Sequence, residues 1–328
     1  MTGDRPVVVV LQPEGARRAR PLIEQRAEVR YASPRELTGA LPGADVLTVF
    51  DVTGAEIAPA WHAADRLSWV HTDSAGVDSV LFDALARSEV TVTNARGVYE
   101  RTIAEFVLAY VLAFAKDVPG SLALQRRQQW LRRDTETIDG ARALIVGPGA
   151  IGRSIARLLT AVGMQVTGVG RTARDGDPDF GVIHADTALA EVAGEADYLV
   201  VVAPLTERTR GLIDARVLTA MAPHARLINV GRGASVVTDD LLAAVGAPAG
   251  DPARIAGAAL DVVDPEPLPA GHPLWTAPNV LISGHMAGDT TGWAQRLDEV
   301  LARRLDDFRA GGAAALADPV DKTHGFVG

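Results

Sequence analysis

Apolar residues fall along this chain in short runs, and the runs alternate with stretches of amphipathic, helical spacing. β-Branched and aliphatic runs at 7–11, 28–31, 46–50, 69–72 and 90–93 mostly end in polar or glycine-containing turns, which predicts the strands of one sheet. A second series at 143–146, 165–169, 197–202, 226–230, 255–260 and 279–282 is almost wholly apolar, as strands covered on both faces are. Strands interleaved with helical stretches predict βαβ units and parallel sheets. Between the two series, residues 102–116 are apolar around most of a helical circumference (Phe106, Val107, Leu108, Tyr110, Val111, Leu112, Phe114). Such a helix must be buried on more than one side, and it is read as the joint between two domains. From about Thr290 the pattern returns to helix over 293–309 and ends in a Gly/Ala-rich tail. A helix there can pack back on the first domain and make that domain discontinuous.

Composition narrows the function. The 328 residues are 48% hydrophobic and 22% charged, enough apolar material for two packed domains. A formal net charge of −9 gives no broad attraction for phosphate backbones or anionic lipid, so neither nucleic acid nor a membrane surface is expected as a partner. The absence of cysteine excludes disulfides, thiol nucleophiles and cysteine-ligated metal centres. The histidines never stand at i, i+4 and H-E-x-x-H does not occur, so no metal is expected. The start lacks a basic n-region and a cleavage site, and no run reaches the roughly 18 apolar residues of a spanning helix. A cytoplasmic location is the expectation.

The run Ala143-Leu144-Ile145-Val146 leads directly into Gly147-Pro148-Gly149-Ala150-Ile151-Gly152, a G-x-G-x-x-G placed between a strand and an amphipathic helix. Gly147 permits the tight turn, Gly149 lets a pyrophosphate approach the backbone, and Gly152 lets the helix lie close to the strand. The helix N-terminus adds N–H groups and positive dipole. A dinucleotide is therefore expected; a glycine-rich turn without a ligand is the plainer alternative. The next strand ends in Gly170 where a carboxylate would grip the 2′-hydroxyl of NAD. Arg171, Thr172 and Arg174 follow and can hold a 2′-phosphate by charge-assisted hydrogen bonds, which favours NADP(H) and leaves NAD possible.

Ligands of open parallel sheets sit outside the carboxyl ends of the strands. Three polar residues follow successive strands there: Arg232 in Asn229-Val230-Gly231-Arg232-Gly233, Glu266 in Asp261-Val262-Val263-Asp264-Pro265-Glu266-Pro267, and His285 in Ser283-Gly284-His285-Met286-Ala287-Gly288. Hydride reduction of a 2-keto acid needs a fork for the carboxylate, a proton donor for the developing alkoxide, and a group that keeps that donor protonated. Arginine, histidine and glutamate match these needs, since a neighbouring carboxylate favours the imidazolium. No G-x-S-x-G elbow is present for hydrolase chemistry. Singly, each residue has a bland reading: a surface ion pair, a solvated loop charge, a core histidine.

These residues resemble the D-isomer-specific 2-hydroxyacid dehydrogenase family, which includes glyoxylate/hydroxypyruvate reductases. The likeness extends to Ala75-Gly76-Val77-Asp78, Asn94-Ala95-Arg96-Gly97, Ala104-Glu105, Ala203-Pro204-Leu205-Thr206 with Thr209-Arg210-Gly211, and Pro273-Leu274-Trp275. It implies that Arg232 orients the keto acid, that His285 is the acid/base and that Glu266 pairs with it. It further implies that the backbone around Ala75, Gly76 and Val77 binds the substrate carboxylate. Thr102, Ala203, Pro204, Thr209, Val230, Gly231, Asp261, His285 and Gly288 would lie along the cofactor, and the protein would form a homodimer through the cofactor domain. The implied fold is α/β: two doubly wound parallel-sheet domains, with a Rossmann cofactor domain over 102–289 inserted in a flavodoxin-like substrate domain of 1–101 and 290–328.

The chain also departs from the family pattern. Ser283-Gly284 replaces the usual Ser-Pro or Thr-Pro before the histidine, which removes proline's fixed φ. Glu266 stands where the formate branch has Gln, Phe106 where many members have His, and residues 243–254 read as a surface insertion. The Arg171 pattern and Val320-Asp321-Lys322-x-x-Gly325 are similar to the glyoxylate/hydroxypyruvate branch. Phosphite oxidation on the same three residues, and a dinucleotide-sensing scaffold akin to the family's corepressors, remain the alternatives.

Overall fold

The first series of runs pairs into a five-stranded parallel sheet, ordered β2-β1-β3-β4-β5. Its members are β1 (Val7–Leu11), β2 (Glu28–Ala32), β3 (Val46–Val49), β4 (Trp69–Thr72) and β5 (Thr91–Thr93). The computed structural model describes residues 5–16, 18–246, 253–322 and the strand Phe326–Val327. It divides the chain into two compact units, Met1–Tyr99 with Thr290–Gly328, and Glu100–Asp289.

In the first unit the two-residue period of the strands sends alternate side chains to two different cores. Val9, Leu11, Leu47, Val49 and Val70 enter one cluster, whereas Val8, Val10, Val46 and Trp69 enter another completed by Leu301, Ala302 and Leu305 of the helix Trp293–Gly311. Both faces are covered, which is why these runs are apolar without alternation.

A charged network is buried beside the second cluster. Arg20, fully buried, donates from Nε to Asp298 at 2.7 Å and from Nη1 to Asp73 at 2.7 Å, and Arg18 joins Asp298 through two bonds of 3.1 Å. His71 is also fully buried. Thr93 Oγ1 accepts from the Trp69 indole at 2.8 Å and lies 2.8 Å from His71 Nδ1. The remaining ring nitrogen, Nε2, has no hydrogen-bond partner and stands 3.7 Å from Asp73 Oδ1. Loss of solvent, followed by the nearby charges of Arg304 and Arg20, pushes the His71 pKa well below its ordinary value of 6.5.

The second unit carries eight strands ordered β13-β12-β11-β10-β6-β7-β9-β8. They are β6 (Arg142–Val146), β7 (Gln165–Gly170), β8 (Arg174–Asp177), β9 (Gly181–Ala185), β10 (Tyr198–Val201), β11 (Arg226–Asn229), β12 (Gly257–Leu260) and β13 (Val280–Ile282). All are parallel to their neighbours except β8, which runs antiparallel to β9 at the sheet's edge. The hydrophobic pattern does not predict this β8–β9 hairpin. The strand Arg-Asp-Gly-Asp has no apolar residue to betray it, and a charged edge strand of this kind resists pairing with other chains.

The helix Glu100–Ala115 packs in this unit against the helix Ala150–Ala161, burying Ile103, Ala104, Val107, Tyr110 and Val111. Its opposite face is not fully covered within the chain, since Leu112 stays 37% exposed. No single described helix is long and apolar enough to cross a membrane; this helix reaches that length only together with Val118–Arg126, from which it is bent by 61°. Of the expected insertion, residues 243–245 belong to the helix Thr238–Val245, while 247–252 lie outside the described residues, as does Gly325 of the C-terminal motif.

A histidine held neutral in the native state must gain a proton on acid unfolding. The stability it contributes is complete above pH 6.5, the ordinary value, and is lost as the pH falls from there toward the lowered native value. The His71→Gln variant is expected to show a shallower fall of unfolding free energy between pH 6.5 and 5 than the parent, the difference approaching about 1.4 kcal/mol per pH unit. Denaturant titrations at several pH values check it, and identical slopes would contradict it.

Candidate active site

The nucleotide fingerprint follows β6 as strand, turn and helix. Gly147 has φ +110°, and a Cβ there would stand 2.7 Å from the backbone nitrogen of Ala203, so the turn lies against the end of β10. At Gly152 a Cβ would fall 2.0 Å from the Gly147 carbonyl oxygen, so only glycine lets the helix come this close. Gly149 faces open space, with nothing within 4 Å of where its Cβ would be. A tight turn with an uncluttered face at a helix N-terminus is the cradle a pyrophosphate requires, so these residues fit a dinucleotide. Pro148, Ala150 and Ile151 complete the turn and first helical residues.

Beyond β7 come the two expected arginines. Arg171 and Thr172 are exposed in the turn after Gly170. Arg174, expected with them at the ribose end, opens β8, with Nη2 3.0 Å from Asp177 Oδ2. Asp177 is buried and also takes two bonds from Arg153; that guanidinium, with the Asp179 backbone N–H and Arg174, holds its carboxyl below the usual range against the opposing effect of burial. Arg174 thus also pairs with a buried carboxylate. Gly170 cannot simply be exchanged for an acid, because a Cβ there would stand 2.9 Å from Pro148 Cγ.

Neighbouring strands β11, β12 and β13 run parallel in matched register, Asn229 opposite Leu260 and Leu260 opposite Ile282, so the segments after them leave the sheet side by side. After β11, buried Asn229 accepts from Gly231 N at 3.1 Å and donates to the Arg232 carbonyl at 2.9 Å, stapling the bend that presents Arg232. Arg232 Nη1 donates to the Gly231 carbonyl at 2.8 Å. After β12 comes Asp261, only 2% exposed. Its Oδ1 accepts from Met286 N and its Oδ2 from Ala287 N, each at 2.9 Å, while its carbonyl accepts from His285 N at 2.7 Å. His285 is thereby held in a left-handed backbone conformation, φ +52°, and its Nδ1 lies 2.6 Å from Glu266 Oε1. Both side chains of that pair are substantially solvent-exposed, at 51% and 38%.

Along the expected cofactor path, Ala203 and Val230 are buried at the ends of β10 and β11. Thr209 Oγ1 donates to the Pro204 carbonyl at 2.6 Å, closing the loop after β10, and Thr102 Oγ1 donates to the Gly288 carbonyl at 3.4 Å. The segment Ala75-Gly76-Val77 belongs to the first unit. There Ser74 Oγ donates to the Gly76 carbonyl and Asn94 Nδ2 to the Ala75 carbonyl, both at 2.6 Å. No described residue accepts from the N–H groups of Ala75, Gly76 or Val77.

The model for the D-isomer specific 2-hydroxyacid dehydrogenase NAD binding domain matches residues 108–287, more than half of the chain. The chain belongs to that family. It is 33% identical over 258 residues to a glyoxylate reductase of Aeropyrum pernix, covering 76% of this chain and 75% of that one. A family structure from Aeromonas salmonicida superposes with TM-score 0.80 at 29% identity over 97% of this chain and 100% of that one. The NADPH-dependent glyoxylate/hydroxypyruvate reductase of Sinorhizobium meliloti in complex with NADP and sulfate gives TM-score 0.80 at 25% identity, covering 98% of this chain and 100% of that one. The protein is accordingly an NAD(P)-dependent oxidoreductase of the 2-hydroxyacid dehydrogenase family.

Within this family member, sequence reasoning missed the parts that hold the site rather than form it. Asn229 stood inside the motif quoted for Arg232, and a buried amide at a strand end is a recognisable cue. Tyr110 and Ser283 gave none, because they meet only in three dimensions. Among the described residues no group of three or more His, Asp or Glu is placed to hold a metal ion.

Proposed function

We propose that this enzyme reduces a small 2-keto acid, of the size of glyoxylate or hydroxypyruvate, with NADPH preferred over NADH. The hydrogen bond of 2.6 Å between His285 and Glu266 carries the reading, because it turns one imidazole nitrogen toward a carboxylate and leaves Nε2 on the opposite side of the ring to serve a substrate. When bound, the reduced nicotinamide supplies the hydride. Arg232 takes the substrate carboxylate in its fork, and the backbone N–H groups of Ala75, Gly76 and Val77 are of the kind that bind a carboxylate. His285 gives its proton to the carbonyl oxygen as the carbon is reduced, and Glu266 stabilises the imidazolium before that transfer. The glycine turn from Gly147 to Gly152 holds the pyrophosphate, and Thr102, Ala203, Pro204, Thr209, Val230, Gly231, Asp261 and Gly288 line the remaining cofactor path.

NADPH is favoured because no carboxylate ends β7 and Pro148 crowds the position where one would stand. The 2′-phosphate would meet Arg171, Thr172 and Arg174, the last of which is also paired with Asp177. The relatives bound to NADP and named for glyoxylate support the same choice. We also propose a homodimer through this unit. Leu112, Val118, Leu122, Trp130 and Leu131 are exposed on one stretch of chain, Trp130 completely, and a second copy would remove this apolar surface from water.

Reduction of glyoxylate and hydroxypyruvate followed by NADPH absorbance tests the function. Turnover is expected in the parent, with kcat lower by roughly 10²–10⁴-fold in His285→Ala. Near-normal turnover in that variant would end the assignment, and phosphite-dependent reduction of NADP without keto-acid activity would replace it. The Arg171→Ala variant should raise KM for NADPH by about 10- to 100-fold and leave KM for NADH nearly unchanged. Equal effects on the two cofactors would remove Arg171 from the 2′-phosphate. In sedimentation equilibrium the parent should have twice the mass of the Leu122→Lys/Trp130→Asp variant; equal masses would exclude this interface.

A further inference from the structure

His285 follows Gly284, a residue that by itself leaves the approach to the imidazole loosely determined. Ser283, just before it, is fixed instead from the side. Its hydroxyl donates to Asp261 Oδ1 in a short hydrogen bond, and the same oxygen lies 2.6 Å from the hydroxyl of Tyr110. The direction of this chain follows from donor counting. A carboxylate oxygen only accepts, so Ser283 spends its single proton on Asp261 and must accept from Tyr110. Burial pushes the Tyr110 pKa above its ordinary value, the contact with Ser283 opposes this in part, and the charge of Asp261 adds a smaller push upward, so the phenol is the protonated partner. Its ring is held edge-on by Phe106, at 5.1 Å between centroids, within the helix Glu100–Ala115.

We propose that Tyr110 is a positioning residue for the proton donor: through Ser283 it fixes the Asp261 carboxylate and the start of the 283–288 loop, doing for His285 what a rigid residue at 284 would otherwise do. Asp261 is the junction. It receives the Tyr110–Ser283 chain on the same oxygen that accepts from Met286 N, and its second oxygen accepts from Ala287 N, so the two residues after His285 are tied to the residue two places before it. The helix Glu100–Ala115 grips the loop twice, since Thr102 also reaches Gly288. If Tyr110 lets go, Ser283 can turn, Gly284 offers no resistance, and the Nδ1 contact of His285 with Glu266 loses its fixed origin. Neither a Cβ nor a lost donor stands against a proline at 284: a Cβ there has nothing within 4 Å, and the Gly284 N–H is donated to no described residue.

The inference rests on the proposed role of His285 for its kinetic readout, so the test pairs kinetics with hydrogen–deuterium exchange of the 283–288 segment, which needs no activity. Tyr110→Phe keeps the ring and removes only the hydroxyl. It is expected to speed exchange of this segment and to lower kcat by about tenfold, with KM for NADPH within twofold of the parent. Ser283→Ala should do the same, and the double variant should lose no more than either single one, because both break one chain. Gly284→Pro added to Tyr110→Phe should return exchange and kcat toward the parent. Unchanged exchange in Tyr110→Phe would overturn the proposal whatever the activity. So would a loss that Ser283→Ala fails to reproduce, additive losses in the double variant, or failure of Gly284→Pro to restore the segment. If the parent turns over no keto acid, the functional reading fails separately, and the exchange results still decide this one.

Discussion

The buried carboxylate of Asp261 is the constraint from which the chemistry of this protein hangs. Two parallel strands end beside each other, and nothing in the ladder of a sheet says how the chain beyond them should run. Asp261 decides it by accepting from Met286 N and Ala287 N with its side chain and from His285 N with its carbonyl. A buried carboxylate is costly unless its lone pairs are taken, and here backbone amides and a serine hydroxyl take them. The cost of burying the charge is thereby converted into the geometry of a loop. His285 adopts a backbone conformation unusual for a residue with a Cβ, and its ring meets Glu266.

The first unit solves a comparable problem with opposite charge. Arg20 has no access to water, yet its guanidinium is matched by Asp73 and Asp298 and fixes the end of β4 directly ahead of Ser74-Ala75-Gly76. Removing one partner of such a network leaves an unpaired charge in the interior, which is why networks of this kind hold loops firmly even where they add little net stability. Backbone carbonyls of Ala75 and Gly76 are then tied by Asn94 and Ser74, and the N–H groups keep the other direction.

Charge pairing also redraws the cofactor end. Four arginines lie between residues 153 and 174, and by type all suit a phosphate. The fold pairs Arg153 and Arg174 with Asp177, while Arg171 and Thr172 stand at the exposed turn. Composition cannot make that division, because it depends on a hairpin with no hydrophobic signature.

By itself the sequence determined what repeats or lies close along the chain. Apart from β8 and β9, the strands of both sheets were legible because their side chains fill two covered faces, and the fingerprint from Gly147 to Gly152 was legible because turn, close approach and helix start occupy consecutive residues. Arg232, Glu266 and His285 could be singled out because each follows a recognisable strand end. Tertiary structure alone decided the contacts between distant positions: Arg20 with Asp298 across 278 residues, Tyr110 with Ser283 across 173. It also decided that His71 is neutral in its native setting and that Arg174 belongs to Asp177. A hydrogen bond between remote residues requires only one suitable atom at each end, which leaves no period and no spacing to read until the fold has brought the two ends together.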